Sequence, residues 1–138
     1  MELPEPMLLL AYPGNPLINK VFLKDIENES LILTETGCSY RAAFERILKD
    51  SGIKPNITLE TGSVQAIKQF TMSGLGITVL PQVAIKSEVN AKKLIPLNWA
   101  GSELNIISQV IYHKDKWISP ALREFIALSN KFLKANSR

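Results

Sequence analysis

Thr36-Gly37-Cys38-Ser39 stands where an apolar run, Leu31 to Thr34, gives way to a helical pattern. In open α/β sheets, ligands collect at the carboxyl ends of strands. A helix that begins there offers backbone N–H groups and a partial positive charge, which suits a carboxylate, sulfate or phosphate. Gly37 permits close approach to the backbone, and Thr36 and Ser39 add hydroxyls. A plainer reading stands beside this one: Ser39 caps its own helix and holds nothing. Glu60-Thr61-Gly62-Ser63 is a second turn of the same kind, and Gly74-Leu75-Gly76 carries a third glycine cluster. No Gly-Lys-Ser/Thr follows, which excludes a Walker loop. Gly74-x-Gly76 enters a strand instead of leaving one, so it fails the dinucleotide fingerprint and reads as packing or capping.

Cys38 lies near a helix N-terminus, where a thiol pKa can fall. His113 is the one histidine, at the end of a long apolar run. A Cys38–His113 nucleophile pair is formally open, as is a redox-sensing thiol. A small buried cysteine is the simpler reading, with His113 at the surface beside Lys114, Asp115 and Lys116. One cysteine and one histidine suggest no metal site. Glu35 and Glu60 could form an acid/base pair but read better as solvated carboxylates, and Trp99 and Trp117 as packing residues in loops.

The elements that must position these residues follow from periodicity. Pro6 to Tyr12, Leu31 to Thr34, Asn56 to Glu60, Ile77 to Leu80, Leu94 to Leu97 and Leu104 to Tyr112 read as strands, the last as the longest. Pro96 places its strand at an edge. Ser39 to Asp50 is an amphipathic helix with Tyr40, Ala43, Phe44, Ile47 and Leu48 inward. Arg41, Glu45, Arg46 and Lys49 face away, and Gly52 stops the helix. Ser63 caps a helix to Ser73, with Val64, Ile67, Phe70 and Thr71 inward, and Pro81 opens a short helical turn. Ser119-Pro120 starts a last helix to Lys134, with Leu122, Phe125, Ile126, Ser129 and Phe132 on one stripe. Strands that alternate with helices predict an α/β lobe of three layers with a mostly parallel central sheet.

Bulk properties set the outer limits. Hydrophobic residues make up 46% of the 138 and charged residues 21%, as in a globular domain rather than a disordered one. A net charge of +3 is too small and too scattered to argue for nucleic acid. Lys131, Lys134 and Arg138 read as the solvated, dipole-complementing end of the last helix. The acidic start and short apolar run do not resemble a signal peptide, and nothing approaches the about 20 apolar residues that span a bilayer. A single cysteine forms no internal disulfide, which fits a cytoplasmic protein with no membrane partner.

Several phrases then occur in one order. A hinge-like strand and Pro13-Gly14-Asn15-Pro16-Leu17 come first, then Asp25-Ile26-x-x-Glu29-x-Leu31-Ile32-Leu33. Gly37-Cys38-Ser39-Tyr40-Arg41, Gly52-Ile53-x-Pro55 and Glu60-x-Gly62-Ser63-Val64-x-Ala66-Ile67 follow. Gly74-Leu75-Gly76-Ile77-x-x-Leu80-Pro81 and Ser119-Pro120-x-Leu122 complete the set. Together they resemble the effector-binding (substrate-binding) domain of LysR-type transcriptional regulators, from about Glu5 to Leu133. The resemblance implies a type 2 periplasmic-binding-protein-like fold whose two lobes hold a ligand in their cleft. Residues 8–97 match the second regulatory lobe. Residues 98–138 match the return strand and C-terminal helix that complete the first lobe, so the expected unit is a partial domain.

By that resemblance the chain senses a small anionic effector and is not an enzyme. Thr36, Gly37, Cys38, Ser39, Tyr40 and Ser63 are the effector-facing residues, with no cofactor and no metal. The full-length regulator would bind promoter DNA through an N-terminal winged helix-turn-helix that is missing from this chain. A solute-binding protein fragment of a transporter shares the fold and is the alternative; a Cys38 enzyme or redox sensor is a further one. The stripe on the last helix predicts a homodimer or higher oligomer through the C-terminal strand and helix.

Overall fold

Leu9 and Leu10 adjoin in sequence yet face opposite sides of a sheet, and that alternation organises the fold. The structure is a computed structural model that describes residues 2–19, 21–99 and 104–136. Arg138, counted above with the basic end, lies outside the described residues. Two compact units emerge: residues 6–106, and residues 2–5 with 107–136.

Within the larger unit, β1 (Glu2–Ala11) pairs antiparallel with β4 (Thr78–Pro81) from Met7↔Pro81 to Leu10↔Thr78. It pairs antiparallel with β5 (Ile95–Pro96) at Leu10↔Pro96 and Ala11↔Ile95. β2 (Leu31–Leu33) pairs parallel with β3 (Ile57–Glu60), and isolated parallel bridges join Leu31 to Ile77 and Val21 to Trp99. The sheet is therefore mixed, where a mostly parallel one was expected. Parallel pairing arises where a whole helix carries the chain back, as α1 (Ser39–Asp50) does between β2 and β3. Among its described residues the stretch after β1 holds only two 3-10 turns, Pro16–Ile18 and Leu23–Asn28, so no helical crossover sets its direction. β5, with Pro96, closes one edge of the path β4-β1-β5 as predicted.

Each face of the sheet carries its own core. Leu9, Leu31, Leu33, Ile77 and Val79 pack with Phe44 and Leu48 of α1, and the Phe44 ring meets Trp99 edge-on at 5.9 Å. Leu10, Ile32 and Leu80 pack on the other side with Ile67 of α2 (Val64–Met72) and Ile85 of α3 (Gln82–Asn90). Helix, sheet and helix make the expected three layers. Gly76 belongs to this packing. A Cβ there would collide with the backbone carbonyl of Ser30, which accepts from the Ile77 N–H at 2.9 Å. A side chain would prise β4 from β2.

β6 spans Asn105–Gln109, with residues 107–109 in the smaller unit, and α4 of that unit spans Pro120–Asn136. Ser108 Oγ donates to Glu5 Oε2 at 3.0 Å and Gln109 Nε2 donates to Glu2 Oε1 at 2.9 Å. β6 pairs with β1 and stops before Ile111 and Tyr112, which are exposed. The longest strand is thus β1, not the Leu104–Tyr112 run. Ser119 caps α4 as expected, accepting from the Leu122 N–H at 3.2 Å. The anticipated stripe on α4 is divided: Leu122, Ile126 and Ser129 are half-buried, whereas Phe125 and Phe132 are exposed. Trp117, expected to pack, is exposed as well.

Candidate functional site

β2 and β3 end side by side, Leu33 opposite Glu60, so the turns that follow them are neighbours. The Thr61 N–H donates to the Leu33 carbonyl at 3.2 Å. The Glu35 carboxyl lies over Gly62, where an added Cβ would sit 3.4 Å away. Both turns open helices, and this brings Thr36–Tyr40 and Ser63 to one end of the sheet.

The first turn is closed by the Cys38 N–H, which donates to the Glu35 carbonyl at 3.2 Å. Gly37 takes the third position with φ of 98°, the left-handed value that a type II turn requires and glycine adopts without strain. α1 begins immediately: the Ala42 N–H donates to the Cys38 carbonyl at 3.0 Å. Cys38 is therefore the N-cap, with φ −70° and ψ 131°, and its side chain makes no cap hydrogen bond. Ser39 is the first helical residue, where the predicted helix begins, and so it is not the cap of the plainer reading. The turn's closing bond places the extended residue at Cys38, one position ahead of the hydroxyl. The capping role that competed with ligand binding at Ser39 is thus removed. Thr36, Gly37 and Ser39 are exposed, and Cys38 and Tyr40 half-buried.

The second turn follows its prediction. Ser63 is the N-cap of α2, its Oγ accepting from the Ala66 N–H at 3.2 Å, while its own N–H donates to Thr61 Oγ1 at 3.2 Å. A hydroxyl that accepts a cap bond can still donate its proton outward.

Arg41 departs most from its prediction. Assigned to the polar face of α1, it is 7% exposed. Its Nε donates to Glu45 Oε1 at 2.9 Å and its Nη1 to the Thr34 carbonyl at 3.0 Å. Nη1 and Nη2 also meet Glu60 Oε2 and Oε1 at 2.8 and 3.2 Å, a two-pronged pairing. Glu60's hydrogen bond raises the guanidinium pKa further, against burial, and the same bond holds the Glu60 carboxyl below its ordinary range. Glu60 is thus an ion-pair partner, not half of an acid/base pair with Glu35. The readable signal was the Arg41–Glu45 spacing of four; the Glu60 contact spans 19 positions and left none.

The electrostatics are mixed. The start of α1 contributes partial positive charge. Arg41 is matched by two carboxylates, and Glu35 adds a negative charge at the rim beside Gly62. His113 is far out in solvent, its ring nitrogen 3.7 Å from Asp115.

Adjacent strand ends that lead into helix starts, on a three-layer α/β unit, define a small-molecule-binding lobe. Residues 3–134 match the family model of the LysR substrate binding domain, and the chain belongs to that family. It is 50% identical over 114 residues to the HTH-type transcriptional regulator YwqM of Bacillus subtilis (strain 168), covering 83% of this chain and 38% of that protein. The chain therefore spans about two fifths of that relative's length. Among solved structures, the regulatory domain of Synechocystis PCC6803 CcmR in complex with 2-PG superposes with a TM-score of 0.78. It is 24% identical and covers 99% of this chain and 64% of its own. The effector-binding domain of QuiR in complex with shikimate gives 0.71 at 18% identity, covering 99% and 66%. At these identities the likeness establishes the fold, a type 2 periplasmic-binding-like α/β architecture.

Proposed function

We propose that this chain is the small-molecule-sensing part of a cytoplasmic LysR-type transcriptional regulator and that it catalyses no reaction. The observation that carries the reading is the pair of neighbouring strand-to-helix turns, with an exposed Ser39 hydroxyl that no cap bond engages. Residues 8–97 act as the second regulatory lobe, and residues 98–138 supply the return strand and helix of the first. The effector is a small anion. Its charged group rests at the start of α1 on Thr36, Gly37, Cys38, Ser39 and Tyr40, and Ser63 donates from the neighbouring turn. Ligands bound by two family structures, 2-PG and shikimate, are small molecules of this size class. Sensing works by differential affinity for two arrangements of lobes or subunits, which the ligand redistributes. Promoter DNA is bound by a helix-turn-helix of the full-length regulator. Self-association runs through β6 and α4.

Ser39→Ala in the full-length regulator tests the site. Hydrogen bonds to charged groups contribute about 1.5–3 kcal/mol, so the inducer dose–response should move to about tenfold higher concentration or more. An unchanged dose–response overturns the assignment.

A further inference from the structure

Arg41 makes its cross-strand contacts at the point where the two turns leave their strands. Thr34 is the residue after the last β2 ladder partner, and Glu60 is the last residue of β3. Thr34 is itself buried, so its carbonyl needs a donor that water cannot supply, and Arg41 Nη1 is that donor. Glu60 lies three residues before Ser63 and receives both prongs of the guanidinium. Only the third partner, Glu45, lies on Arg41's own helix. Burying a guanidinium costs desolvation, which good geometry and full hydrogen bonding must offset. A planar fork can reach a carbonyl, both oxygens of one carboxylate and an oxygen of a second together; an ammonium is a point charge and cannot.

We infer that Arg41 is the positioning residue of the effector site: it joins the β2–α1 turn to the end of β3 as one frame. In that frame the Gly37–Ser39 backbone and the Ser63 hydroxyl keep a fixed spacing. This rests on the reading that these turns hold the effector, and it requires no contact between Arg41 and the ligand. Glu60 is the second member of the frame. Glu45 steadies Arg41 within α1 but does not reach either turn.

Cys38 is the only cysteine and sits in the first turn, which makes it a reporter that needs no ligand. The test uses the 138-residue chain with Arg41→Lys, Glu60→Gln and, as a control, Glu45→Gln. Iodoacetamide labelling of Cys38 reads the turn, and amide spectra during titration with inorganic phosphate read the site. Arg41→Lys and Glu60→Gln should each change the labelling rate by about threefold or more, as couplings within one hydrogen-bond network do. They should also weaken the phosphate response of the Ser39 and Ser63 amides. Glu45→Gln should leave both near wild type. Wild-type labelling in Arg41→Lys and Glu60→Gln overturns the inference, as does a Glu45→Gln effect equal to that of Glu60→Gln. Should Arg41→Lys fail to fold, Glu60→Gln decides by itself, because its partly exposed side chain tolerates the change. A wild-type chain with no phosphate response counts against the effector site alone, and the labelling rates still decide the role of Arg41.

Discussion

Lys92 carries a cost at the scale of a single residue. Its φ is 55°, in the left-handed region, and it is the one described non-glycine residue there. α3 ends as α1 and α2 do, with paired bonds: Lys92 N–H to the Val89 carbonyl at 3.0 Å and Lys93 N–H to the Glu88 carbonyl at 2.9 Å. The matching positions after α1 and α2 are Gly52 and Gly74. An L-residue with a Cβ costs about 1–2 kcal/mol in this conformation. Lys92→Gly should therefore raise unfolding stability by about 1 kcal/mol, seen as a higher urea midpoint at unchanged slope. No gain would mean that the lysine side chain itself holds the turn. The same scale separates what was legible from what was not. Ser63 and Ser119 were read correctly as caps because a cap bond spans three residues. Ser39 was placed correctly as the first residue of α1, but the alternative that it caps the helix fails, because the turn bond from the Cys38 N–H to the Glu35 carbonyl makes Cys38 the cap. Arg41 was misread because its partners lie on other strands.

Between elements, α2 and α3 are joined by an ion pair that periodicity did not foresee. Lys68 is buried on α2, and its Nζ lies 3.0 Å from Glu88 Oε1 on α3. Lys68's hydrogen bond holds the Glu88 carboxyl below its ordinary value of 4.5, against partial burial. A carboxyl whose folded pKa is depressed stabilises fully above its unfolded value. That stabilisation is lost as pH falls through the folded value. This pair should leave stability flat from neutral pH down to about 5 and lower it progressively below 4.5. Glu60, held down by Arg41, titrates in the same window. Urea midpoints across that range check the expectation. Glu88→Gln should lower stability at neutral pH and flatten the acid limb, and an identical acid limb would show that the pair is not coupled to folding. Element pairing also carried the main revision of the fold. The order of strands and helices was readable, yet β1 runs antiparallel to β4 and β5.

The whole molecule presents more apolar surface on α4 than its own described chain covers. Phe125, Leu128 and Phe132 follow one helical face and are 62%, 63% and 69% exposed. Contiguous patches of this kind mark association surfaces. The proposed self-association therefore predicts a dimer or larger species at micromolar concentration by sedimentation. A double change, Phe125→Glu with Phe132→Glu, should shift it toward monomer while leaving far-UV ellipticity in place. A clean wild-type monomer at that concentration would contradict self-association through α4. Among the described residues no helix is long and apolar enough to cross a membrane.

Sequence alone determined what is local. The alternation of strands and helices, the two strand-to-helix turns, the Ser63 and Ser119 caps and the edge position of Pro96 all follow from signals a few residues long. The ordered phrases named the family for the same reason, being short and collinear. Tertiary structure decided what depends on distant partners. It set the direction of β1 against β4, since no crossover helix follows β1. It buried Arg41 and Lys68, whose carboxylate partners stand 19 and 20 positions away. It divided the stripe of α4 into half-buried and exposed lines, because helical periodicity says which residues share a face but not what lies opposite it.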